Sequence, residues 1–353
     1  MIRNHSATRF MPSIGALALA ATALVFSTAP SLGQSDADFY KGKQITLIVG
    51  SSTGGGYDAQ GRLVARHLGK HIPGNPGFIV QNMPGAGSLQ AANHLYTLAA
   101  KDGTVIGIIQ RGMLTAKLTS PQGVRFEVEK FNWIGNLASE TAVTVVWHDS
   151  PIKTVEDLFS KETIVGGTGP TIDTETTPRL YNALIGTKFR IVGGYPGTNE
   201  VLLAMERGEV MGLGDWSWSN VKTRRPEFLS EKKIRVLMQG ALQKEPDLPD
   251  VPLALDFVKN EDDRKVMELF LAQKSVARPL VAPPDLPASR VAALRSALMA
   301  MAKDKEFIAD AAKTKLEIDI TSGEAVDAVV KRIVATPQAL ADRLTAAIAA
   351  PAK

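Results

Sequence analysis

Along this chain the apolar positions switch between a two-residue and a three-to-four-residue period. Residues 44–50 (QITLIVG) are a short β-branched run, and DAQGRLVARHL behind it spaces Leu63, Val64 and Leu68 as one helix face. GFIVQNM (77–83) reads as a second strand and the stretch through AANHLYTLAA as a second helix. KDGTVIGIIQ places a turn at Asp102 and Gly103 ahead of a third strand. Strands and helices taking turns in this way predict a parallel, doubly wound α/β sheet.

A second series starts near residue 139. TAVTVVWH is a strand, VEDLFS a short helix, and ETIVGGTGPT a strand that runs into glycines. TTPRLYNALIG is helical, FRIVGGYPG repeats the exit from strand into glycine, and NEVLLAMERGEVMGLGD goes from helix to strand, with Asn199 as cap and Gly208 as stop. IRVLMQGA (234–241) is a further strand, and the proline- and acid-rich 243–263 reads as surface loop. From about 275 an extended, proline-broken stretch precedes three helical segments, with LEIDI between them as a strand. Their starts are marked by Pro287, by Ser322, and by Thr336 with Pro337.

Two α/β units and a helical return predict two lobes: 34–138 with 275–353 as the first, 139–274 as the second. In open α/β sheets ligands sit beyond the carboxyl ends of the strands, and four glycine loops lie there. Loop one is Ser51–Asp58, loop two Asn82–Ser88, loop three Gly166–Thr171 and loop four Gly193–Thr198. A helix start offers unpaired N–H groups and a partial positive charge, so loops of this kind can hold a carboxylate without a cationic side chain. Loops one and two place Ser52, Gly54, Gly55, Gly56, Tyr57, Pro84, Gly85, Ala86, Gly87 and Ser88 at the ligand. Asp58 reads as cap or loop brace, since its acceptor oxygens suit a helix start. Thr168, Thr171 and Thr198 can donate from the second lobe.

Composition narrows the compartment and the chemistry. The chain has 353 residues and no cysteine, which excludes disulfides and thiolate chemistry and suits an oxidising setting. Residues 1–33 carry Arg3 and Arg9, then a small, apolar stretch, then SLG before Gln34, the pattern of a cleaved secretory signal. A membrane anchor is the rival, but Pro12, Ser13 and Ser27 break the apolar run. Removing that segment halves the formal charge of +4, and no lysine/arginine run with interleaved aromatics points to nucleic acid.

The enzyme signatures fail one by one. GGGYDAQGR departs from the G-x-G-x-x-G spacing of a dinucleotide site, and loop one carries Tyr57-Asp58 where a phosphate loop needs G-K-[ST]. No G-x-S-x-G elbow occurs. His67 and His71 stand one helical turn apart, but no third ligand is near them in sequence, and a solvated helix face is the simpler reading. No metal or cofactor is expected. In DWSWS (215–219) one tryptophan fills core, and the other, Trp216, is a candidate wall for an apolar ligand body.

As a set, GGGYDAQGRLVARHL, VQNMPGAGSLQAANHLYTLAAKDGTVIG, GGYPGTNEVLLAMERGEV, LPDVP and APPDLPASRVAALRSAL resemble the Bug-type solute receptors of tripartite tricarboxylate transporters. The resemblance covers nearly all of the chain after Gln34. It implies a type II periplasmic binding protein, two doubly wound lobes with a ligand cleft between them, that captures a small organic carboxylate and passes it to membrane permease subunits. It implies a monomer without cofactor or reaction. Carried over, it puts Gly54, Gly55, Gly56 and Asp58, with Gly85, Ala86 and Gly87, at one carboxylate. Thr168, Gly169, Thr171, Tyr195, Gly197 and Asp215 fall at the far end of the ligand. Met211 after GEV, the acidic TIDTET after Pro170, and WSW depart from the family pattern. Two other readings stay open: an adaptor for a membrane sensor kinase, and an extracytoplasmic α/β hydrolase or lyase.

Overall fold

The computed structural model describes residues 35–349 apart from Ser120, Pro170, Thr171 and Pro196. The expected signal segment and Thr171 of loop three therefore lie outside the described residues. Chain order gives β1 (Gln44–Val49), β2 (Gly77–Asn82), β3 (Val105–Ile108), β4 (Asn132–Asn136), β5 (Ala142–Trp147), β6 (Thr163–Gly166), β7 (Phe189–Val192), β8 (Gly212–Ser217), β9 (Ile234–Gly240), β10 (Pro279–Ala282) and β11 (Thr321–Ser322). The longer helices are α1 (Gly56–His67), α2 (Leu89–Thr97), α3 (Asp173–Leu184), α4 (Thr198–Glu206), α5 (Trp218–Arg224), α6 (Glu261–Ala272), α7 (Ala288–Met301), α8 (Lys305–Lys313), α9 (Gly323–Val334) and α10 (Gln338–Ala349). None of them is long and apolar enough to cross a membrane.

The strands form two sheets, in the orders β11-β4-β10-β3-β1-β2 and β7-β6-β8-β5-β9. Each has a parallel heart, β3-β1-β2 and β7-β6-β8, built from strands joined through helices. β4, β5, β9, β10 and β11 pair antiparallel, so the sheets are mixed where the sequence reading expected parallel pairing. β4 with β5, and β9 with β10, flank the two strand-to-strand passages between the sheets, the second of them made through α6. In both sheets the strand order reverses beside the first parallel strand, between β1 and β3 and between β6 and β8. Loops one and three leave from these two reversal points.

The connecting ribbon is short. Residues 137–141 and 274–278 run side by side, with Glu140 N–H donating to Lys274 O (3.0 Å), Ala277 N–H to Ala138 O (3.1 Å) and Leu137 N–H to Arg278 O (3.0 Å). One apolar cluster runs through both lobes, from Ile48 and Leu95 past Trp133 and Val326 to Leu271, Leu180 and Tyr181.

Three elements differ from the sequence reading. LEIDI (316–320) is irregular, tied to β4's end by Asp319 N–H to Leu137 O, and only Thr321–Ser322 pair as a strand. The last helix, placed with the first lobe by sequence, packs on α3 and α6 of the second as well as on the short helix Ala116–Thr119 of the first, so after Thr336 the chain lies across both. Helix α3 starts at Asp173, drawing the acidic segment before Thr176 into its first turn. Ser322 is the expected cap, accepting from Ala325 N–H.

β1 is the central strand of the parallel heart, and Leu47 is fully buried in it. Leu47→Ala is expected to cost about 2–5 kcal/mol by denaturant unfolding, the usual range for a truncated core leucine.

Candidate functional site

Loop one is built around Asp58. The third residue of α1, it accepts from Gly54 N–H (2.8 Å), from Arg62 Nε (3.0 Å) one turn on, and from Asn82 Nδ2 (2.9 Å) at the end of β2. Burial raises its pKa, but the bonds from Arg62, Gly54 and Asn82 outweigh that and lower it. The carboxylate is thus a brace, as its position suggested. Gly55 caps α1 without a side chain, so no cap side chain takes up the N–H groups of its first turn. Ser52, Gly54 and Gly55 are exposed.

Loop two is held in an unusual shape. Ala86 (φ 43°) and Ser88 (φ 79°) are left-handed without being glycine, which costs each of them of the order of 1 kcal/mol. The buried Ser88 hydroxyl compensates: it donates to Gly50 O (2.6 Å) and accepts from Gln110 N–H (3.0 Å). Ser88 therefore ties together the ends of β1 and β3 and is not free for a ligand, whereas Pro84, Gly85, Ala86 and Gly87 are exposed.

Between the loops and the ribbon lies a set of charges that sequence reasoning did not assemble. Arg111, just past β3, pairs with Glu140 of the ribbon and with Asp173 at the start of α3. Lys274, fully buried, bonds to Asp215 (2.7 Å) and reaches Asp173 (3.4 Å). Arg278 stands 3.5 Å from Glu140 and 4.3 Å above the centre of the Tyr57 ring. Tyr57 is a strut: its hydroxyl donates to Ala277 O (2.9 Å) and accepts from Arg111 N–H (3.2 Å). Burial pushes the Glu140 carboxyl up, but Arg111, Arg278 and Lys274 outweigh it and hold its pKa at about 2. Asp173 is likewise opposed by burial and lowered by Arg111 and Lys274. Asp215 goes the other way: burial and the charge of Asp173 raise it against Lys274. Of the two aspartates that share Lys274, Asp215 takes a proton first, because Asp173 also holds Arg111.

A cavity of about 270 Å³ opens on one flank of this floor, between α1, the ribbon and α5. Gly56, Gln60, Glu140, Arg278, Ser219 and Asn220 line it, so both lobes contribute. Next to it, Arg278 Nε is buried without a partner among the described residues, as is the Ser51 hydroxyl of loop one. Buried polar groups left unpaired ask for a ligand or water. A wider groove of about 520 Å³ follows the outer side of loop two past Met83, Leu89 and His94 to Arg125, and it is lined by the first lobe alone.

Loop three turns inward, while Gly193 and Gly194 of loop four are exposed. Gly167 N–H donates to Val192 O, Thr168 N–H to Thr174 Oγ1 (3.0 Å), Gly169 N–H to Glu175 Oε1 (2.9 Å) and Ile172 N–H to Gly169 O. The Thr168 hydroxyl meets that of Thr174 at 2.9 Å. Tyr195 N–H donates to Gly167 O (3.2 Å), and Gly197 is the extended cap of α4. Asp215 belongs to the charged floor, with Thr177 Oγ1 donating to it (2.7 Å). Trp216 is a correction: it is buried in the second-lobe core, its ring edge-on to Phe228 at 6.3 Å, which removes it from the cleft wall. Trp218 joins the same cluster. The histidine pair faces α8, where His67 meets Asp310 and His71 meets Asp304, both at 2.9 Å. Lys70 holds Asp304 and Glu306 in the same seam, an interhelix ion-pair ladder.

No family model matches the chain. A UPF0065 protein encoded in the gbd 5' region of Cupriavidus necator is 28% identical over 260 residues, 71% of this chain and 73% of that protein. Among solved structures, a TctC solute binding protein from Polaromonas is 22% identical with a TM-score of 0.68, over 86% of this chain and 99% of its own. The periplasmic binding protein BugD is 18% identical (TM-score 0.59, 87% and 98% covered). MatC from Rhodopseudomonas palustris, with bound malate, is 20% identical (TM-score 0.59, 87% and 99% covered). The fold is that of the TctC- and Bug-type periplasmic binding proteins, and the resemblance read from the glycine loops is borne out.

The charged floor sets the acid response. Glu140 is lowered in the folded protein, so its stabilisation is complete above about pH 4.5 and is lost as the pH falls through about 2, and Asp173, also lowered, acts in the same direction. Asp215, being raised, softens that loss. Arg111→Ala is expected to cost about 1–3 kcal/mol at neutral pH, because it takes the nearest cation from two half-buried carboxylates and leaves Lys274 and Arg278 to hold them. The deficit should narrow in urea melts below about pH 4, as those carboxylates take up protons. A deficit independent of pH would show that Arg111 acts by packing alone.

Proposed function

We propose that this chain is a periplasmic solute receptor that captures a small organic carboxylate in the cleft and hands it to a tripartite-tricarboxylate-type permease. The observation that carries the reading is the start of α1. A helix end capped by glycine, with the Arg278 guanidinium at its first residue and a two-lobed cavity beside it, combines oriented N–H groups, a cation and enclosure. The carboxylate docks on the N–H groups of Gly55 and Gly56, with loop two alongside. The second lobe closes over the rest of the ligand. Closure then depends on ligand contacts made only in the closed form, since a ligand equally bound in both states would shift nothing. The neighbours with this fold, one of them holding malate, support capture over catalysis.

The signal-like residues 1–33 support export to the periplasm. An adaptor for a sensor kinase would use the same cleft and differ only in the membrane partner. The first-lobe anchor is tested at Gly55, whose φ of −79° suits any residue and whose added Cβ would meet nothing nearer than Ser52 O at 3.7 Å. Gly55→Leu is expected to leave the melting temperature nearly unchanged and to weaken carboxylate binding by about a hundredfold or more in calorimetric titration, roughly 3 kcal/mol. Unaltered affinity would take the carboxylate away from this loop.

A further inference from the structure

The two lobes repeat one device with a different reach. In α1 the third residue, Asp58, folds back on a glycine-loop N–H and pairs with Arg62 four residues on. In α3 the third residue, Glu175, folds back on Gly169 N–H and pairs with Arg179 four residues on. The longer side chain changes what the device does. Asp58 stays on its own loop, while Glu175 extends between loops three and four. A Cβ on Gly167 would come within 2.7 Å of Glu175 Oε1, and one on Gly193 within 2.9 Å of the same atom. A Cβ at either position would push the Glu175 side chain aside, so glycine at both leaves room for a carboxylate against their backbones.

From this we infer that Glu175 permanently fills the anion seat of the second lobe, and that the receptor accepts one carboxylate and rejects a second. This rests on the carboxylate-receptor reading above and narrows its ligand class to monocarboxylates. Three further observations agree. The N–H groups of Gly167, Thr168, Gly169 and Ile172 are all spent inside the protein. Asp173 adds a second internal carboxylate to the start of α3 and uses Arg111 and Lys274 as its partners. The cleft cavity touches the second lobe at Ser219, Asn220 and Thr223, away from loop three, and those side chains can hydrogen-bond a neutral far end. A diacid would therefore bring its second charge to a floor where Arg111 and Lys274 are already matched by Glu140, Asp173 and Asp215.

Acetate tests the seat without knowledge of the ligand. Glu175→Ala empties it, and acetate at tens of millimolar is expected to raise that variant's melting temperature by several degrees. Wild type and Glu175→Gln, whose seats stay filled, should show only the smaller shift that the first-lobe anchor gives all three, and none of the three should respond to chloride at equal ionic strength. An equal acetate response in all three, or none in the alanine variant, overturns the inference. Selectivity is tested on wild type with succinate and malate against their monomethyl esters. The monoesters are expected to bind at least about tenfold more tightly than the diacids, and Glu175→Ala to narrow or reverse that ratio. If the diacids bind wild type as well as the monoesters, the filled seat is wrong while the receptor reading stands. If neither acids nor monoesters bind, the receptor reading itself falls. Should Glu175→Ala not fold, the wild-type comparison decides alone.

Discussion

Buried charge has to be paired, and in this protein the pairing is done across the gap between the lobes. Arg111 comes from the end of a first-lobe strand, Glu140 and Lys274 from the ribbon, and Asp173 and Asp215 from the second lobe. Each group on its own would be costly to bury; with Arg278, which stands beside Glu140, three cations face three carboxylates and leave no net charge. The arrangement accounts for where the third strand ends, why a lysine is buried among apolar residues, and why α3 begins with an aspartate. It also draws the first turn of α3 toward the first-lobe strand ends, so the relative position of the lobes depends on electrostatics as well as on the apolar cluster they share.

On that floor the two glycine-loop systems take opposite roles. Both are strand–loop–helix units at a reversal of strand order, where an α/β sheet exposes helix starts to a ligand. In the first lobe the acid of the loop is short, is paired with Arg62 and hydrogen-bonded by Asn82, and stays on its own loop. In the second lobe the acid is one methylene longer and the loop closes on it. On the proposed reading, one methylene separates an anion site from an anion mimic. The glycine content alone, similar in both lobes, does not tell them apart.

Much of this was legible in the sequence and some was not. The strands announced themselves through β-branched runs ending in glycine, and the Asp58 brace, the Ser322 cap and the stop at Gly208 followed from local chemistry. Local chemistry could not assemble Arg111, Glu140, Lys274 and Arg278, because their partners are tens to a hundred residues distant. One signal was present: a lysine inside the apolar stretch LFLAQKSVARPLVA needs a buried partner. Trp216 misled because a tryptophan at a strand end serves equally as core or wall, and only the position of Phe228 settles which. The last helix misled because its apolar stripe fits any apolar surface, and α3 and α6 supply one.

The most direct test of the account is a crystal structure of the chain with a bound organic acid. The account expects the carboxylate oxygens within hydrogen-bonding distance of the Gly55 and Gly56 N–H groups, the body of the ligand in the cavity beside Arg278 and Ser219, and Glu175 still held between Gly167 and Gly193. A carboxylate seated on loop three with Glu175 swung out, or a ligand that leaves the start of α1 untouched, would contradict it.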